Sequence, residues 1–504
     1  MNIAEVLVNT AKKFSDKPAI IFQDKPLSFS ELKDKVFKLA NGLLDLGIKK
    51  GDKVAIYLPN WPEYILGYLA VWSIGAVVVP LDILFKYNEL TSCLSHSEAK
   101  LLITRYQEGI SLAKLKELAP SLEQILICHK GKTIPRIEAE GLFSFEDVIA
   151  KSPDNFPGID IFDKDPSLIM YTSGTEGRPK GILWNYRHLD GAPKAMAYFV
   201  NLTDKDVKIS ALPLSHSGGL VYIQDSIYFG ITLVLMERFI PLEFLKNIAK
   251  YKVTCFHIVP SMYYAILQLK DFEKFDLSSL RWVVVFGAPS APDLLRMFHR
   301  CCPNAYFLNG WGMSETSPPN TVIPLGSDKI ESIGKPAPWF EIKVFDENDK
   351  NLPPYEVGEL VIRGWVVMEG YYKDPKATAE VMKDDWLHTG DLTKFDEEGY
   401  LYIVGRKKDR IKVGGQLVYA PEVEAAIYKH PKVAEVAVIG IPDKLRGEIP
   451  KAIIVPKKGE SIGEDEIRYF CRKHLAHFKV PHKVEFRQSL PKTRTGKIQK
   501  EALR

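Results

Sequence analysis

The stretch Tyr-Thr-Ser-Gly-Thr-Glu-Gly-Arg-Pro-Lys-Gly, residues 171–181, places three aliphatic hydroxyls, three glycines and two cations within eleven residues. Hydroxyl groups can donate hydrogen bonds to an anion, and glycines allow backbone N–H groups to approach it where a Cβ atom would interfere. The preceding residues 167–171 form a short apolar run, as expected of a buried strand. The sequence therefore predicts a strand that leads into a phosphate-binding loop.

This loop differs from the Walker motif G-x-x-x-x-G-K-[ST]. Counted from Gly174, Pro179 takes the place of the second glycine and Gly181 that of the metal-binding hydroxyl. Taken alone, a glycine-rich stretch of this composition is also compatible with an ordinary surface turn. Other parts of the chain are needed to separate the two interpretations.

Short apolar runs alternate with helical patterns on both sides of the loop, for example over residues 53–58, 76–81 and 255–259. Repeated units of this kind predict mostly parallel sheets flanked by helices. Beyond residue 335, strand patterns follow one another with few helices between them. We therefore expect an α/β fold whose large N-terminal domain, residues 1–404, contains two βα-type sheets and a small β-barrel-like subdomain over about 335–404.

The run at residues 405–415 is charged and bounded by glycines, as a hinge or linker would be, and the patterns behind it predict a small, mobile α+β C-terminal domain over residues 409–504. From residue 405 onward the chain has 23 Lys and Arg against 12 Asp and Glu. No aromatic-interleaved or zinc-finger pattern accompanies this charge, so we expect a polyanionic small molecule and no nucleic acid as its partner.

The overall composition, 46% apolar and 26% charged residues, is ordinary for a soluble globular protein. The six cysteines are scattered, which predicts neither a zinc site nor a disulfide framework and favours a reducing, cytoplasmic location. Residues 64–81 lack charge and reach the length of a membrane span. Because Gly75 and Pro80 divide them, we expect a buried helix over 62–73 and a strand at 77–79, with no transmembrane segment.

Three later stretches carry candidate chemistry. In residues 309–317, Trp311 could stack a base and Glu315 could bind Mg²⁺, although a strand-end turn with a packed tryptophan fits equally well. In residues 386–391, the Asp391 carboxylate beside a glycine turn suits a sugar diol. Residues 490–498 form a basic loop. Each of these could also be a solvated surface feature.

Together with the loop, these stretches occur in the order and spacing of the adenylate-forming superfamily, which includes acyl-CoA synthetases, luciferases and peptide-synthetase adenylation domains. The chain resembles this superfamily along nearly its whole length, and within it most resembles fatty-acid-CoA ligases. The matching segments are the phosphate loop (171–181), the aromatic-Gly-x-Thr-Glu motif (311–316), the ribose motif (388–391), the hinge (405–415) and the catalytic-lysine loop (491–497).

The resemblance implies a two-step reaction, in which a carboxylate attacks the α-phosphate of ATP to give acyl-AMP and pyrophosphate, and a second nucleophile then displaces AMP. It implies that Lys497, Glu315, Ser314 and His216 are catalytic, with Glu315 also the Mg²⁺ ligand. Ser314 replaces the usual threonine and keeps its hydroxyl. The implied ATP-binding residues are Thr172, Ser173, Gly174, Thr175, Lys180, Gly287, Ala288, Pro289, Asn309, Gly310, Trp311, Gly312, Met313, Ser314, Asp391, Arg406 and Lys497.

For the second step, the resemblance implies that Lys408 is the hinge residue. Lys412, Gly414 and Gly415 would face the CoA pantetheine. An acyl pocket is implied for His216, Ser217, Gly218, Gly219 and Leu220, although His216 could instead be a core histidine. Glu176 departs from the usual threonine, and we expect its carboxylate to face solvent or pair with Arg178, away from the phosphates.

The predicted function is an ATP-dependent acyl-CoA ligase that uses ATP, Mg²⁺ and CoA and acts on an apolar carboxylic acid, which we expect to be a medium- or long-chain fatty acid. The alternatives are an aryl-acid or small-acid CoA ligase, or an adenylation enzyme that loads a carrier protein. A nucleotide-binding regulator without catalysis is disfavoured because Glu315, Asp391 and Lys497 are all present. The sequence is compatible with a monomer or a homodimer.

Overall fold

The computed structural model of the chain describes residues 2–106, 112–129, 141–172, 180–270, 272–287, 292–492 and 498–504. The helices are α1 Ile3–Lys13, α2 Phe29–Asp45, α3 Pro62–Ser73, α4 Tyr87–Ser97, α5 Leu112–Leu118, α6 Phe145–Lys151, α7 Gly191–Val200, α8 Ser217–Phe229, α9 Pro241–Tyr251, α10 Pro260–Leu267, α11 Pro292–Cys301, α12 Pro375–Val381, α13 Ala420–Tyr428 and α14 Glu464–His474.

The strands are β1 Pro18–Phe22, β2 Lys25–Ser28, β3 Lys53–Tyr57, β4 Val77–Pro80, β5 Leu101–Arg105, β6 Gln124–Cys128, β7 Leu142–Ser144, β8 Pro166–Thr172, β9 Lys180–Asn185, β10 Val207–Ser210, β11 Thr232–Leu235, β12 Cys255–Ile258, β13 Trp282–Val285, β14 Tyr306–Trp311, β15 Thr321–Val322, β16 Lys335–Pro336, β17 Glu341–Phe345, β18 Gly358–Arg363, β19 Gly370–Tyr371, β20 Met382–Lys383, β21 Trp386–Phe395, β22 Leu401–Arg406, β23 Arg410–Val413, β24 Gln416–Tyr419, β25 Val433–Asp443, β26 Gly447–Pro456 and β27 Lys483–Phe486.

Two large sheets form the first part of the fold. Within the described residues, one has the order β16-β15-β14-β13-β12-β10-β11-β1-β2 and the other the order β19-β9-β8-β4-β3-β5-β6-β7. The pairs from β14 to β1 are parallel, as are those from β8 through β4, β3, β5 and β6 to β7. This confirms the predicted α/β fold with two βα-type sheets. One hydrophobic core joins residues of both sheets and their helices.

Helix α3 and strand β4 confirm the interpretation of residues 64–81 as a buried helix and strand. Every residue of β4 is buried, and residues 64–73 of α3 are buried as well. The break between the helix and the strand lies at Gly75, whose φ of 71° suits a residue without a side chain. Among the described residues, no helix combines the length and the apolar character needed to cross a membrane.

A smaller antiparallel sheet follows, with the order β17-β18-β21-β20 and with β22 paired to β21. A fourth sheet has the order β24-β23-β26-β25, with β27 added to β26, and α13 and α14 accompany it in sequence. The smaller antiparallel sheet of strands β17, β18, β20, β21 and β22 accounts for the β-rich stretch predicted between residues 335 and 404. The fourth sheet has its own core, which includes Ile411, Val436 and Ile467.

The charged run at residues 405–415 has regular secondary structure over most of its length. It contains the end of β22, a 3-10 turn at Lys407–Asp409, the strand β23 and the two loop residues of a hairpin. Ile411 and Val413 are buried while Lys412 between them is exposed. This alternation is that of a half-buried strand, and it outweighs the charge of the segment.

Candidate functional site

The predicted phosphate loop joins the adjacent antiparallel strands β8 and β9. Thr172 at the end of β8 and Lys180 at the start of β9 are directly opposite each other. Ser173, Gly174, Thr175 and Glu176 lie outside the described residues. The Lys180 ammonium is 5.0 Å from the centroid of the Tyr371 ring. The predicted loop therefore lies between two paired strands, with a cation, Lys180, as the first residue of the second strand.

Glu315, the predicted metal ligand, lies in a 3-10 turn at Ser314–Thr316, which begins three residues after the end of β14. The Tyr371 hydroxyl donates a hydrogen bond to Glu315 Oε1 at 3.1 Å. Burial raises the pKa of Tyr371, and the neighbouring Glu315 charge raises it further, so the phenol keeps its proton and acts as a donor. The Met368 N–H also donates to the Glu315 carbonyl, at 2.8 Å. Tyr371 had no signal in the sequence.

The chemistry of this site fits Mg²⁺. In the described part of the chain, no group of three or more His, Cys, Asp or Glu could hold a metal ion. Mg²⁺ is usually bound by one or two carboxylates together with substrate phosphates and water. Glu315 supplies one such carboxylate. Its partner Tyr371 contacts Lys180, which follows the predicted phosphate loop, so the carboxylate lies near the predicted position of the phosphates.

Ser314 connects residues predicted to bind ATP to residues predicted to line the acyl pocket. Its hydroxyl lies 3.1 Å from the Ser217 hydroxyl at the start of α8, and its carbonyl accepts a hydrogen bond from Trp184 Nε1 at 2.9 Å. The two serines were predicted separately, one for ATP and one for the acid. The structure brings them together across the ends of β14 and α8.

Asp391 is held by two donors. Trp311 Nε1 donates to Oδ2 at 2.9 Å, and Arg406 Nε donates to Oδ1 at 2.6 Å. The Asp391 charge raises the pKa of Arg406, so the guanidinium remains charged. Asp391 follows Gly390, whose φ is 73°, within β21 rather than in a turn. The sequence suggested a turn because it did not show that the glycine marks an irregularity in a long strand.

Trp311 is 8% exposed and packs in a core with Val344, Leu360 and Leu401. The structure therefore gives the indole a direct partner in Asp391, and its predicted role in the adenine platform stays a prediction. Two neighbouring glycines are explained by close packing. A Cβ on Gly310 would lie 2.1 Å from Phe286 Cε1, and one on Gly312 would lie 2.5 Å from Pro318 Cβ.

The other residues predicted around the adenine are placed as follows. Asn309 Nδ2 donates to the Ile330 carbonyl at 2.7 Å, and the Met313 N–H donates to Thr316 Oγ1 at 3.2 Å. Gly287 has a φ of 90°, a value that favours glycine. Ala288 and Pro289 lie outside the described residues.

A buried carboxylate that the sequence did not indicate, Glu359, supports the ribose motif. It accepts hydrogen bonds from Lys407 Nζ at 3.0 Å and from the Gly390 N–H at 3.0 Å, and it lies 3.1 Å from His388 Nδ1. Burial acts to raise the pKa of Glu359, but the bonds from Lys407 and His388 outweigh it and hold the pKa below its usual value. Glu359 thus ties the ribose motif to the first residue of the 3-10 turn.

His216, predicted beside the acid, precedes α8 and is not a core histidine, because its side chain is 31% exposed. Its Nε2 lies 3.1 Å from Asp82 Oδ2. Asp82 follows β4, and a carboxylate after the carboxyl end of a parallel strand is the type of position where α/β sheets bind ligands. That rule could have identified Asp82 from the sequence.

The small residues after His216 have different explanations. A Cβ on Gly218 would approach only Leu212 Cδ1, at 3.5 Å, so Gly218 leaves open space. A Cβ on Gly219 would lie 2.1 Å from the Pro213 carbonyl oxygen, so this glycine is required by close packing of the backbone. Leu220 is fully buried in the core. Ser217 and Gly218 therefore fit the predicted acyl pocket better than Gly219 and Leu220 do.

The residues predicted for CoA form the β23–β24 hairpin. Val413 and Gln416 are paired, which leaves Gly414 and Gly415 as a two-residue loop with φ values of 56° and 83°. Positive φ at both positions is typical of a tight hairpin turn. Lys412 is exposed on this hairpin, and its N–H donates to Glu448. Lys497 lies outside the described residues.

Lys408, the predicted hinge residue, lies in the middle of the 3-10 turn. Its carbonyl accepts a hydrogen bond from Arg504 Nη2 at 3.1 Å, and Arg504 also bonds the Asp409 carboxylate at 3.0 Å. Its ammonium is 3.5 Å from Glu501. The turn is therefore braced by residues close to the end of the chain.

Comparison with known proteins is consistent with this geometry. Residues 7–372 match the family model described as AMP-binding enzyme, and residues 422–497 match that of the AMP-binding enzyme C-terminal domain. The chain belongs to the AMP-binding enzyme family. Membership confirms the resemblance to the adenylate-forming superfamily.

Three similar members of the family illustrate its range. A long-chain-fatty-acid–CoA ligase of Bacillus subtilis is 33% identical over 99% of this chain and 94% of its own length. A feruloyl-CoA synthase of an Amycolatopsis species is 36% identical over 95% of this chain and 93% of its own. The crystal structure of an anthranilate CoA ligase with anthranoyl-AMP superposes with a TM-score of 0.92 at 28% identity, covering 100% of this chain and 96% of that one.

Proposed function

We propose that this AMP-binding enzyme is an ATP-dependent, AMP-forming acyl-CoA ligase. A carboxylic acid and ATP give acyl-AMP and pyrophosphate, and CoA then displaces AMP to give the acyl-CoA. The observation that supports this best is the arrangement of Asp391 between Trp311 and Arg406. A buried carboxylate that is oriented by two hydrogen bonds and lies beside the predicted hinge suits a ribose diol.

The acid is bound, in this proposal, on the other side of Ser314. The contact between Ser314 and Ser217 supports an acyl pocket at the start of α8, beside the turn that carries Glu315. Mg²⁺ on Glu315 would neutralise charge on the ATP phosphates. Lys497 would stabilise the charge that develops as the carboxylate attacks the α-phosphate. The cytoplasm, with its supply of ATP and CoA, is the proposed location.

Two classes of acid are candidates. A medium- or long-chain fatty acid is supported by the similarity to the Bacillus subtilis enzyme, and an aromatic acid by the similarity to the feruloyl-CoA synthase and the anthranilate ligase. Loading of a carrier protein in place of CoA is a third arrangement of the same chemistry. The depth of the acyl pocket distinguishes the first two.

The experiment is an assay of pyrophosphate release with a panel of fatty and aromatic acids, with and without CoA. The proposal predicts acid-dependent pyrophosphate release and, with CoA, a thioester product. No turnover with any acid would contradict it, and accumulation of acyl-AMP that CoA does not discharge would favour carrier loading. Lys497→Ala should slow adenylate formation by about a hundredfold or more while leaving synthetic acyl-AMP reactive toward CoA. Adenylate formation at the wild-type rate in this variant would rule out the role of Lys497.

A further inference from the structure

One face of α8 carries a small, an aromatic and a charged residue in order from its N-terminus. Gly218, Tyr222 and Asp225 are spaced four and three residues apart, so they lie on the same face of the helix. Hydrogen bonds from this face reach β12 through Tyr222 and β10 through Asp225. The face therefore starts with open space at Gly218, continues with an aromatic ring and ends with a charged group.

Tyr222 fills the space one turn below Gly218. Its side chain is 1% exposed, and its hydroxyl donates to the His257 carbonyl at 2.8 Å and accepts from the His257 N–H at 3.0 Å. These two bonds fix the ring against β12. The helical rise between Gly218 and Tyr222 is about 6 Å.

His257 completes this layer. Its ring stacks on Tyr222 with centroids 4.0 Å apart, and its Nε2 lies 2.7 Å from the Gly218 carbonyl oxygen. Burial lowers the pKa of His257 well below its usual value, so the imidazole is neutral and Nε2 carries the proton that this carbonyl accepts. His257 therefore contacts both Tyr222, through its ring face, and Gly218, through Nε2. We call the stacked Tyr222 and His257 rings the layer.

Below Tyr222 there is a buried ion pair. Lys208 on β10 and Asp225 on α8 are 1% and 0% exposed, and Lys208 Nζ is 2.5 Å from Asp225 Oδ2. The ammonium also lies 4.8 Å from the centroid of the Tyr222 ring. A buried ion pair is a poor environment for an apolar acyl chain. To reach this depth, the chain would have to displace the Tyr222 ring and separate Lys208 from Asp225.

The layer borders the nucleotide side of the site as well. The Phe286 ring is 5.9 Å from the His257 ring, at an interplanar angle of 73°, and its edge occupies the space beside Gly310. Phe286 precedes Gly287, and Gly310 precedes Trp311. These contacts link α8, the stacked Tyr222 and His257 rings and the Phe286 ring around Gly218, with the stacked pair about one helical turn along α8 from it.

We propose that Tyr222 and His257 form the floor of the acyl pocket, about one helical turn below Gly218, and that the acid is compact, of the size of an aromatic ring or a short chain, and not a long-chain fatty acid. The inference rests on the proposed function and selects between its two substrate classes. Tyr222 is the residue that determines the limit of acid length.

The test measures kcat/KM for pyrophosphate release with benzoate, cinnamate, hexanoate, octanoate and palmitate. The wild-type protein should prefer the aromatic acids and hexanoate over palmitate by at least about tenfold, a ratio that pocket size readily produces. Tyr222→Ala should raise the octanoate-to-benzoate ratio by about tenfold or more, because removal of the ring deepens the pocket. A wild-type preference for palmitate would overturn the proposal.

Tyr228→Ala is the matched control, since Tyr228 lies on the same helix but bonds Asp190 and not the floor. This variant should leave the octanoate-to-benzoate ratio unchanged, and an equal change in both variants would also overturn the proposal. If Tyr222→Ala fails to fold, the wild-type series of acids decides alone. Failure of every acid, fatty or aromatic, to release pyrophosphate would instead show that the proposed function is wrong.

Discussion

Asp391 and Arg406 are cross-strand partners of β21 and β22, and Arg406 Nε lies 2.6 Å from Asp391 Oδ1. Arg406 is the last residue of β22, and Lys408 is two positions further along the chain. The carboxylate proposed to bind the ribose is therefore paired with a residue of the predicted hinge segment, 405–415. The predicted ribose site and the predicted hinge segment share one charge-assisted contact.

Asp391→Asn should weaken ATP binding in the adenylation step. The substitution removes the charge that pairs with Arg406 and changes one oxygen into a donor. A hydrogen bond to a charged group contributes about 1.5–3 kcal/mol, so the KM for ATP in pyrophosphate exchange should rise about tenfold to a hundredfold. Asp396→Asn serves as the control, because Asp396 directly follows the same strand and its carboxylate pairs with Lys329 and not with Arg406. An unchanged KM for ATP in Asp391→Asn would exclude the ribose role.

Lys408→Pro should separate the two half-reactions. Proline fixes φ and so restricts the dihedral rotation proposed to move the C-terminal domain. Acyl-AMP formation, measured by pyrophosphate release, should be retained while thioester formation from acyl-AMP and CoA is lost. Lys408→Ala, which removes only the contact with Glu501, should show a much smaller thioester defect. Loss of both half-reactions in Lys408→Pro would argue against a hinge at this position.

Tyr371→Phe should weaken metal binding, because it removes the donor that orients the Glu315 carboxylate at 3.1 Å. Removing a group that orients a metal ligand typically lowers metal affinity about tenfold or more. The measurement is Mn²⁺ binding to the protein in the presence of ATP, followed by electron paramagnetic resonance, which does not depend on turnover. Tyr372→Phe is the neighbouring control, since its hydroxyl contacts Glu98. Equal Mn²⁺ affinity in the wild type and Tyr371→Phe would contradict the positioning role.

Local patterns in the sequence were sufficient for much of the fold. The alternation of strands and helices predicted both large sheets, and the break at Gly75 correctly separated α3 from β4. The charged run after residue 405 was harder to interpret, because β23 is short and its two buried residues, Ile411 and Val413, are few against its charges. Charge density favoured a linker, whereas burial on one face determined the strand.

The site divides in the same way. Asp391, Arg406 and Ser314 lie in contiguous motifs, so their residue types and spacing could be interpreted directly. Glu359 and Tyr371 act on those motifs from separate segments, across 31 residues to Gly390 and 56 residues to Glu315. No local pattern encodes such contacts, since they depend on how strands pair.

The buried pair of Lys208 and Asp225 should make a large contribution to stability when only one partner is removed. Lys208→Met leaves an unpaired carboxylate at a site that is 0% exposed, which typically costs about 3–5 kcal/mol. The double variant Lys208→Met with Asp225→Leu should recover most of this loss, because no buried charge remains. Urea unfolding monitored by circular dichroism measures both. A comparable loss in the single and double variants would contradict the explanation by an unpaired charge.

An exposed pair provides the comparison for this prediction. Lys246 and Glu243 lie 2.8 Å apart on α9, with side chains that are 52% and 47% exposed. Surface ion pairs typically contribute less than about 1 kcal/mol. Lys246→Met should therefore change the free energy of unfolding far less than Lys208→Met does, although both substitutions remove one cation from an ion pair.

Stability should also fall as the pH is lowered through the range in which histidine titrates. Burial lowers the pKa of His257 well below its usual value and also lowers that of His188, so both bind a proton less readily in the folded chain than in the unfolded chain. The unfolded chain takes up protons at these residues below a pH of about 6.5, and each then costs up to about 1.4 kcal/mol per pH unit. The stabilisation is thus present above the unfolded pKa and is lost progressively below it.

His257→Gln should flatten this dependence. Between a pH of about 7.5 and about 5.5, the free energy of unfolding of the wild type should decrease. The decrease should be smaller in the variant, by about the contribution of one buried histidine. Glu359, whose folded pKa is lowered, contributes a loss only below about pH 4.5, where its unfolded form gains a proton, so Glu359 does not contribute to the slope in this window. Urea unfolding at several pH values gives the slope directly. Parallel slopes in the two proteins would mean that His257 binds a proton equally well in the folded and unfolded chains, which is incompatible with a buried imidazole that donates to Gly218.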